Sequence, residues 1–398
     1  MLRFPLPRPA MDAQAQPGHE PTATERPWLR RFTYLVIAAT FSLIAVGGKV
    51  TSFEYGMAIP GGFTTGGWLS FLAPLEYWFY DTDKFWEHSH RIMGTLVGFL
   101  TIAMTVWLWR TQKDRPWLKW AGVIMLILVC IQGAMGAFRV SEVSLTLAFI
   151  HGIVGQVILC SWVVVVVALS KPWLSRLKAT AQRQRDHAMP RLRFAVRLLL
   201  VLLLVQLTLG SAVRHFKADK AIPDFPLNYG QFLPPMSQDA LDEAYIGYYA
   251  DRMGVSPEDS GITNRTPQGE IVISAGDVHL QFTHRLGAYI VFVLGITVGI
   301  IAIRLAKERS VVLAPALVLM MIMGTQVALG VMTVLSETDP ITATLHQATG
   351  AALIAVATWL AVRIHLAEYS PEPVIADTSA RGSFTPPQAP ANPTPATA

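Results

Sequence analysis

The chain has 398 residues, of which 52% are hydrophobic and 15% are charged, and its mean hydropathy is +0.40. This balance excludes a soluble domain of that length, because soluble proteins carry about a quarter of their residues as charged ones. The net charge of +5 comes from basic residues gathered between apolar runs, without a separate basic face, which excludes nucleic acid as a partner.

Eight apolar runs follow one another along the chain. Each is long enough to cross a bilayer, because the hydrocarbon core takes about 20 helical residues. The runs lie near residues 32–50, 91–109, 120–138, 146–169, 194–213, 285–305, 311–335 and 342–364. The sequence therefore predicts an all-α integral membrane protein with eight transmembrane helices.

The charged residues between these runs predict an orientation. Segment 171–191 and the turns at 110–119 and 304–309 are basic, whereas loops 51–87 and 214–277 are acid-rich. Because short cytoplasmic loops are enriched in Lys and Arg, we expect the basic segments and both termini in the cytoplasm. No Arg- and Ser-rich transit peptide is evident, which favours a bacterial cytoplasmic membrane.

Composition divides the chain into five segments. Residues 1–29 lack the features of a signal peptide, and the Pro-, Ala- and Thr-rich tail 368–398 has little apolar content, so both are expected to be disordered and cytoplasmic. Between them we expect a four-helix bundle at 30–170, a basic cytoplasmic linker at 171–191, and a second four-helix bundle at 192–367 that includes the large external loop.

Five features recur in the same order in the two bundles, which we call the first half and the second half. In chain order they are Ala-Ile-Pro at 58–60 and 221–223, His90 and His284, Arg91 and Arg285, Gln132–Gly136 and Gln326–Gly330, and His151 and His346. Such a repeat indicates duplication. Four helices in each half give both the same orientation, so we predict two bundles related by a pseudo-twofold axis along the membrane normal.

The repeated histidines are predicted to lie at matching depths near the outer surface. His90 pairs in this way with His151, and His284 pairs with His346. A heme iron takes imidazoles from opposite faces, each about 2 Å from the metal. A helix–helix hydrogen bond explains a single such histidine equally well. Two matched pairs instead indicate two bis-histidine hemes, because unpaired imidazoles inside a membrane are costly.

Charged residues beside the histidines suggest further roles. Arg91 and Arg285 directly follow a histidine, and a guanidinium there is suited to bind a heme propionate, although snorkelling to lipid headgroups is an alternative. Glu87 lies one helical turn before His90, whereas Gln281 takes its place in the second half. A carboxylate there can move protons or stabilise positive charge, unless it merely lies at the water interface. From this asymmetry we expect the chemical reaction to take place in the first half and electron transfer in the second.

Other residues with metal-binding side chains are expected not to act as ligands. Cys130 and Cys160 lie inside apolar runs and are interpreted as small core residues, and the external loops contain no cysteine, which excludes a disulfide framework. The histidines expected not to bind iron are His88, His187, His215, His279 and His365, with His215 and His88 the first exceptions to check.

These motifs resemble the heme A synthases, eight-helix membrane proteins that oxidise a methyl group of heme O to the formyl group of heme A for heme-copper terminal oxidases. The resemblance covers about residues 30–367. It is carried by Gly47-Gly48, Val50-Thr51, Glu87-x-x-His90-Arg91, Gln132-Gly133 followed by His151, His284-Arg285, and Gln326 followed by His346.

The resemblance implies a role for each histidine pair. His90 and His151 would hold the substrate heme O, and Glu87 would assist oxidation of its methyl group. His284 and His346 would ligate a permanent heme B. Two successive hydroxylations would give a geminal diol, which loses water to form the aldehyde of heme A. Implied partners are membrane lipid, heme O, a heme O synthase, oxidase assembly factors and an electron donor of open identity; homo-oligomerisation also stays open.

The chain departs from the family pattern in its external loops. The first loop has Ala-Ile-Pro-Gly-Gly-Phe at 58–63 instead of an Asp-Trp-Pro segment, and it lacks the cysteine pair of some relatives. Loop 214–277 is larger than expected. Two alternatives remain. A diheme b-type cytochrome, for example quinol-linked, transfers electrons without modifying heme and gives Glu87 no task. A repeat-based transporter that uses the histidines as proton sites would be colourless.

Overall fold

The computed structural model describes residues 26–79, 81–171, 173, 190–305 and 312–367. Nine α-helices lie wholly within these ranges: α1 Pro27–Ser52, α2 Thr82–Thr111, α3 Pro116–Ser141, α4 Leu145–Ala168, α5 Pro190–His215, α6 Gln238–Met253, α7 Ala275–Leu305, α8 Leu313–Leu335 and α9 Pro340–Ala367. Among the described residues, every one of these helices except α6 is long and apolar enough to cross a membrane. The predicted class of an all-α protein with eight membrane helices is confirmed.

Several helices begin where the local chemistry favours a helix start. Pro27 and Pro116 occupy the first turns of α1 and α3, where a missing N–H costs nothing. The Ser144 hydroxyl accepts a hydrogen bond from the Leu147 amide at 3.3 Å and so caps α4. A carboxylate oxygen of Asp339 likewise accepts a hydrogen bond from the Thr342 amide at 2.9 Å and so caps α9.

Ser52 at the end of α1 meets Arg214 at the end of α5 and Thr344 near the start of α9. We call this end of the molecule the outer end.

The membrane helices form two rings of four. In the first half α1 contacts α2, α2 contacts α3, α3 contacts α4, and α4 returns to α1. In the second half α5, α7, α8 and α9 follow the same circuit. Across the halves α1 packs on α9, α5 packs on α4, and α4 packs on α9. This order of contacts is the one that a twofold relation requires; the predicted pseudo-twofold axis itself stays a prediction.

Each ring is packed most tightly at the end opposite the four histidines. The fully buried residues of the first half include Leu29 at the start of α1, Leu108 at the end of α2 and Trp162 in the later part of α4. A corresponding cluster in the second half contains Leu199 and Leu360. Close packing of this kind holds membrane helices together, because lipid removes the hydrophobic driving force between them. The outer ends are therefore left for polar groups.

The segments between the membrane helices at the outer end are also structured. The first contains a short hairpin, β1 Thr64–Thr65 with β2 Trp68–Leu69. The second contains α6, in a segment that the sequence predicts only as a large external loop. Buried Leu241 of α6 packs in a small separate core with Ile222 and Tyr229. This second segment is thus a small folded cap rather than an extended connection.

The two cysteines lie in different surroundings. Cys130 was expected in the core and is instead exposed on the bundle surface, whereas Cys160 is partly buried against the second-half core. The prediction for Cys130 was wrong because a membrane helix is apolar all round, so that hydrophobicity alone does not identify its packed face. Most of the N-terminal segment, the basic linker with His187, and the C-terminal tail lie outside the described residues.

Candidate functional site

The four repeated histidines lie near the outer ends of their helices. His90 and His151 are on α2 and α4, and His284 and His346 are on α7 and α9. His90 lies within electrostatic range of His151, and His284 lies within range of His346. The structure therefore brings the histidines together as one pair in each half, in the grouping that the sequence predicted.

Each histidine ring packs against a glycine on the preceding membrane helix. A Cβ atom added at any of these glycines would lie 2.9–3.1 Å from the ring, which is too close without displacing it. The contacts are Gly47 with His90, Gly136 with His151, Gly210 with His284, and Gly330 with His346. Because glycine has no side chain, each imidazole can approach the neighbouring helix closely. Gly210 was not singled out in the sequence.

Three of the four rings also contact a glutamine one turn before that glycine. The Gln132 side-chain amide donates to the His151 carbonyl at 2.7 Å. The Nδ1 atom of His151 lies 3.2 Å from the Gln132 carbonyl. An imidazole that donates its Nδ1 hydrogen in this way keeps Nε2 available for a metal. His151 therefore has the hydrogen bonding of a heme-iron ligand.

Both rings of the second half also contact the corresponding glutamine, but through its side-chain amide nitrogen rather than its backbone carbonyl. The Gln206 amide nitrogen lies 3.0 Å from His284 Nδ1 and donates to the His284 carbonyl at 2.8 Å. The Gln326 amide nitrogen lies 3.3 Å from His346 Nε2. Sequence reasoning used Gln326 only as a repeat marker and missed Gln206, although the Gln-x-x-x-Gly spacing was available in α5 as a signal.

His90 is the exception among the four. The position one turn before Gly47 is Leu43, and among the described residues the His90 imidazole makes no hydrogen bond. On α2, Gly94 has open space where a side chain would be, whereas Gly155 on α4 faces the Gln132 amide at 3.5 Å. The first half thus holds one ring in hydrogen bonds and leaves the other ring beside free space.

The residues present fit a pair of hemes. The Nδ1 atom of His346 and the amide oxygens of Gln132, Gln206 and Gln326 are buried without a partner, and buried polar atoms are otherwise nearly always paired. In the part of the chain that the structure describes, no group of three or more His, Cys, Asp or Glu side chains could hold a metal ion. A pair of imidazoles is the set of protein ligands that a bis-histidine heme takes.

Glu87 and Arg91 connect the first external loop to α2. The Ile59 amide donates to a Glu87 carboxylate oxygen at 2.8 Å, and the other oxygen receives the Arg91 guanidinium at 2.7 Å. Arg91 also donates to the carbonyls of Ile59 at 3.0 Å and Thr64 at 2.8 Å. We call these contacts the loop anchor. It fixes the Ala-Ile-Pro segment against the helix turn that carries His90.

The second half has the same loop anchor without the carboxylate. The Ile222 amide donates to the Gln281 amide oxygen, and Arg285 donates to the carbonyls of Ile222 at 3.0 Å and Leu227 at 3.1 Å. A neutral side chain therefore suffices to anchor the loop. The predicted propionate contacts of Arg91 and Arg285 stay predictions, because the terminal nitrogens of both guanidiniums already donate to loop carbonyls.

The weaker histidine candidates and one unexpected arginine complete this surface. His88 is buried, and its Nδ1 atom lies 3.2 Å from the Thr65 hydroxyl. Arg139, in the last turn of α3, lies within electrostatic range of Glu87, His151 and His215. Sequence reasoning passed over Arg139; the available signal was a lone arginine near the end of an apolar run.

The cap of the second half has its own ionisable cluster. Burial opposes ionisation of Asp242, but hydrogen bonds from Asn264 and Gln238 and the charge of Arg265 outweigh it and lower the pKa of that carboxyl. Burial also raises the pKa of the Tyr229 phenol well above its usual range. The cap is therefore held by an ionised aspartate and a neutral tyrosine near pH 7.

Fold and site together define a class: polytopic all-α membrane proteins with two pairs of imidazoles near one surface. Comparison with known proteins identifies a family within this class. The model of the cytochrome oxidase assembly protein family, COX15-CtaA, matches residues 71–358. The chain therefore belongs to the cytochrome oxidase assembly protein family.

Individual relatives agree with this assignment. The chain is 24% identical to the heme A synthase of Bartonella henselae over 287 residues, 70% of each chain. It is 24% identical to that of Chelativorans sp. over 368 residues, which is 85% of this chain and 92% of the relative. It is 28% identical to that of Novosphingobium aromaticivorans over 284 residues, 70% and 71% of the two chains. The resemblance to heme A synthases predicted from the motifs is confirmed.

Proposed function

We propose that the protein is a membrane oxidoreductase that converts the methyl group of heme O to the formyl group of heme A, for the assembly of heme-copper terminal oxidases. The observation that carries this proposal is the asymmetry between two otherwise matched histidine pairs. Only the first pair has a buried carboxylate, Glu87, one turn from a ligand, while Gln281 takes that place in the second. The name heme A synthase of the relatives agrees with this assignment.

The second pair, His284 and His346, is proposed to hold a permanent heme B. Each of these rings contacts a glutamine and lies on a glycine, so both are held in fixed orientations. A heme bound there supplies reversible one-electron transfer. Gln206 and Gln326 orient the ligands, and Arg285 keeps the external cap closed over this end of the bundle through its loop carbonyls.

The first pair, His90 and His151, is proposed to hold the substrate heme O. His151 is fixed by Gln132, whereas His90 lacks such a partner and has open space beside it at Gly94. A substrate must enter and leave, and one unconstrained ligand makes that exchange easier. This difference between the pairs supports the assignment of substrate to the first half.

Glu87 is proposed to assist the oxidation. Conversion of CH₃ to CHO with water as the oxygen donor consumes one water and releases four protons and four electrons. The two hydroxylations pass through an alcohol and a geminal diol, and the diol then loses water. A carboxylate near the reacting methyl can accept a proton or stabilise positive charge. The charge of Glu87 is available for that task, because Gln281 shows that the loop anchor does not need it.

The proposed location and partners follow from the same assignment. The protein is integral to a membrane, which we propose to be a bacterial cytoplasmic membrane with both chain termini inside. The histidines would then lie near the external surface, and heme O would reach the first pair from the lipid. A heme O synthase and oxidase assembly factors are the proposed partners, together with an electron-transfer partner of open identity.

Co-production with a heme O-forming enzyme tests the proposal. The purified protein is extracted and its hemes are identified by chromatography and mass spectrometry. We expect heme B together with hydroxylated or formylated derivatives of heme O. Heme B alone, at two per chain, would contradict the proposal and identify an electron-transfer cytochrome. A colourless protein would contradict both.

A further inference from the structure

Arg139 is a half-buried guanidinium without a partner. It lies in the last turn of α3, at the outer end of the first half. Within the described residues it donates no hydrogen bond and forms no ion pair. The other arginines at this level are engaged, since Arg91 and Arg285 bind loop carbonyls and Arg214 donates to the Ser52 hydroxyl at 2.6 Å. Arg139 therefore differs from every arginine around it.

The surroundings of Arg139 do not neutralise its charge. Glu87 is within electrostatic range, but its carboxylate oxygens bind Arg91 and the Ile59 amide and not Arg139. An arginine does not lose its proton in a protein, and a partly desolvated charge without a partner is costly. The other carboxylates near this end, Glu54 and Glu142, are exposed and form no hydrogen bond or ion pair with Arg139 among the described residues, so its guanidinium is free to bind an anion.

The loop opposite Arg139 leaves room for this side chain. A Cβ atom at Gly56 would lie 2.7 Å from an Arg139 terminal nitrogen. At the corresponding place in the second half the loop carries Asp219, two residues before its own Ala-Ile-Pro segment. Thr333 replaces Arg139 there, and its hydroxyl only returns to the Leu329 carbonyl at 2.8 Å. The unpartnered cation therefore belongs to the first half alone.

We propose that Arg139 binds a carboxylate of the ligand that enters the first half, in the proposed function a propionate of heme O. The guanidinium lies within electrostatic range of both His90 and His151, so an anion on a ligand between these rings is within its reach. The planar fork of arginine matches a carboxylate with two hydrogen bonds. Because Arg91 is already committed to the loop anchor, Arg139 takes the propionate role in this half.

This inference rests on the proposed function, and one binding experiment separates the two. The probes are ferric heme and its dimethyl ester, which lacks both carboxylates. Each is titrated into the full-length purified protein whose second histidine pair already holds heme, and binding is followed by absorbance. A His90→Ala variant identifies the first-half signal. We expect wild-type protein to bind the free acid about ten- to hundredfold more tightly than the ester, as for a buried charge-assisted hydrogen bond.

Two substitutions of Arg139 and one control substitution test whether this residue causes that preference. Arg139→Gln should reduce affinity for the free acid by the same factor and leave the ester unchanged, and Arg139→Lys should fall between. Arg110→Gln removes an exposed arginine at the opposite end of the bundle and should change neither affinity. Equal losses for acid and ester in Arg139→Gln would overturn the proposal, because a structural role moves both.

Three other results also decide the question. Unchanged binding of both probes in Arg139→Gln, with less anionic phospholipid retained during purification, would overturn the proposal and show that a lipid phosphate is the anion. If the wild-type first half binds neither probe while the second site is filled, the proposed function itself fails. If the first half binds the free acid and the ester equally tightly, only the proposed role of Arg139 is refuted.

Discussion

Replacing Glu87 with Gln removes one charge and almost no volume from the first half. The Gln oxygen can still accept from the Ile59 amide, so the loss is the Arg91–Glu87 ion pair, whose side chains are only 10% and 4% exposed. Breaking a buried pair by removing one partner costs about 3–5 kcal/mol. Arg91 keeps two carbonyl acceptors, however, as Arg285 does beside Gln281. We therefore expect a loss of only about 1–2 kcal/mol of stability.

The effect of Glu87→Gln on catalysis should be much larger. If the carboxylate moves a proton or stabilises positive charge during oxidation, its loss lowers the rate by about 10²–10⁴-fold. The assay is the rate at which heme O is converted to hydroxylated and formylated products, measured by chromatography of extracted hemes. Heme content, from the visible spectrum, should stay close to wild type because the four ligands are untouched.

Gln281→Glu is the matched control. It adds the same carboxylate beside Arg285 in the second half and should leave the conversion rate within about twofold of wild type. Full activity of Glu87→Gln at normal heme content would refute the catalytic role and leave Glu87 as an anchor of its loop. Equal losses in the two variants would also refute it, since the reaction would then not be confined to the first half.

Three further predictions concern the second half and its cap. Gly210→Ala places a Cβ atom 2.9 Å from the His284 ring and should reduce the heme bound by that pair by more than half, while Gly324→Ala, which meets no atom within 4 Å, should leave pigment content unchanged. Gln206→Leu removes the contact to His284 Nδ1 and should weaken heme retention by about 10–100-fold, seen as loss of heme during dilution; full retention would contradict this role. The lowered pKa of Asp242 means that its stabilising contribution is present above the ordinary aspartate value near 3.9 and is lost as the pH falls below it. The protection of cap amides, corrected for the pH dependence of intrinsic exchange, should fall in that range, and Asp242→Asn should show low protection at every pH; a wild-type cap that stays protected at low pH would refute the assignment.

Local chemistry and repetition were enough to predict the membrane helices and the histidine pairs. An apolar run of about 20 residues has few alternatives to a membrane helix, because every backbone hydrogen bond must be made inside the segment. The duplicated His-Arg motif and the later histidine are predicted at equal depth in helices of the same direction. The sequence pattern alone therefore pairs His90 with His151 and His284 with His346.

Tertiary structure decided which polar groups meet, because those contacts join residues far apart in the chain. The sequence predicts a heme propionate as the partner of Arg91, whereas in the fold Arg91 binds the Thr64 carbonyl and Glu87. The contact of Gln206 with His284 joins two residues that are 78 positions apart in the chain. Among the described residues Glu87 pairs with Arg91 and not with Arg139. Spacing along one helix predicts which residues share a face, but it does not reveal which neighbouring helix supplies the partner.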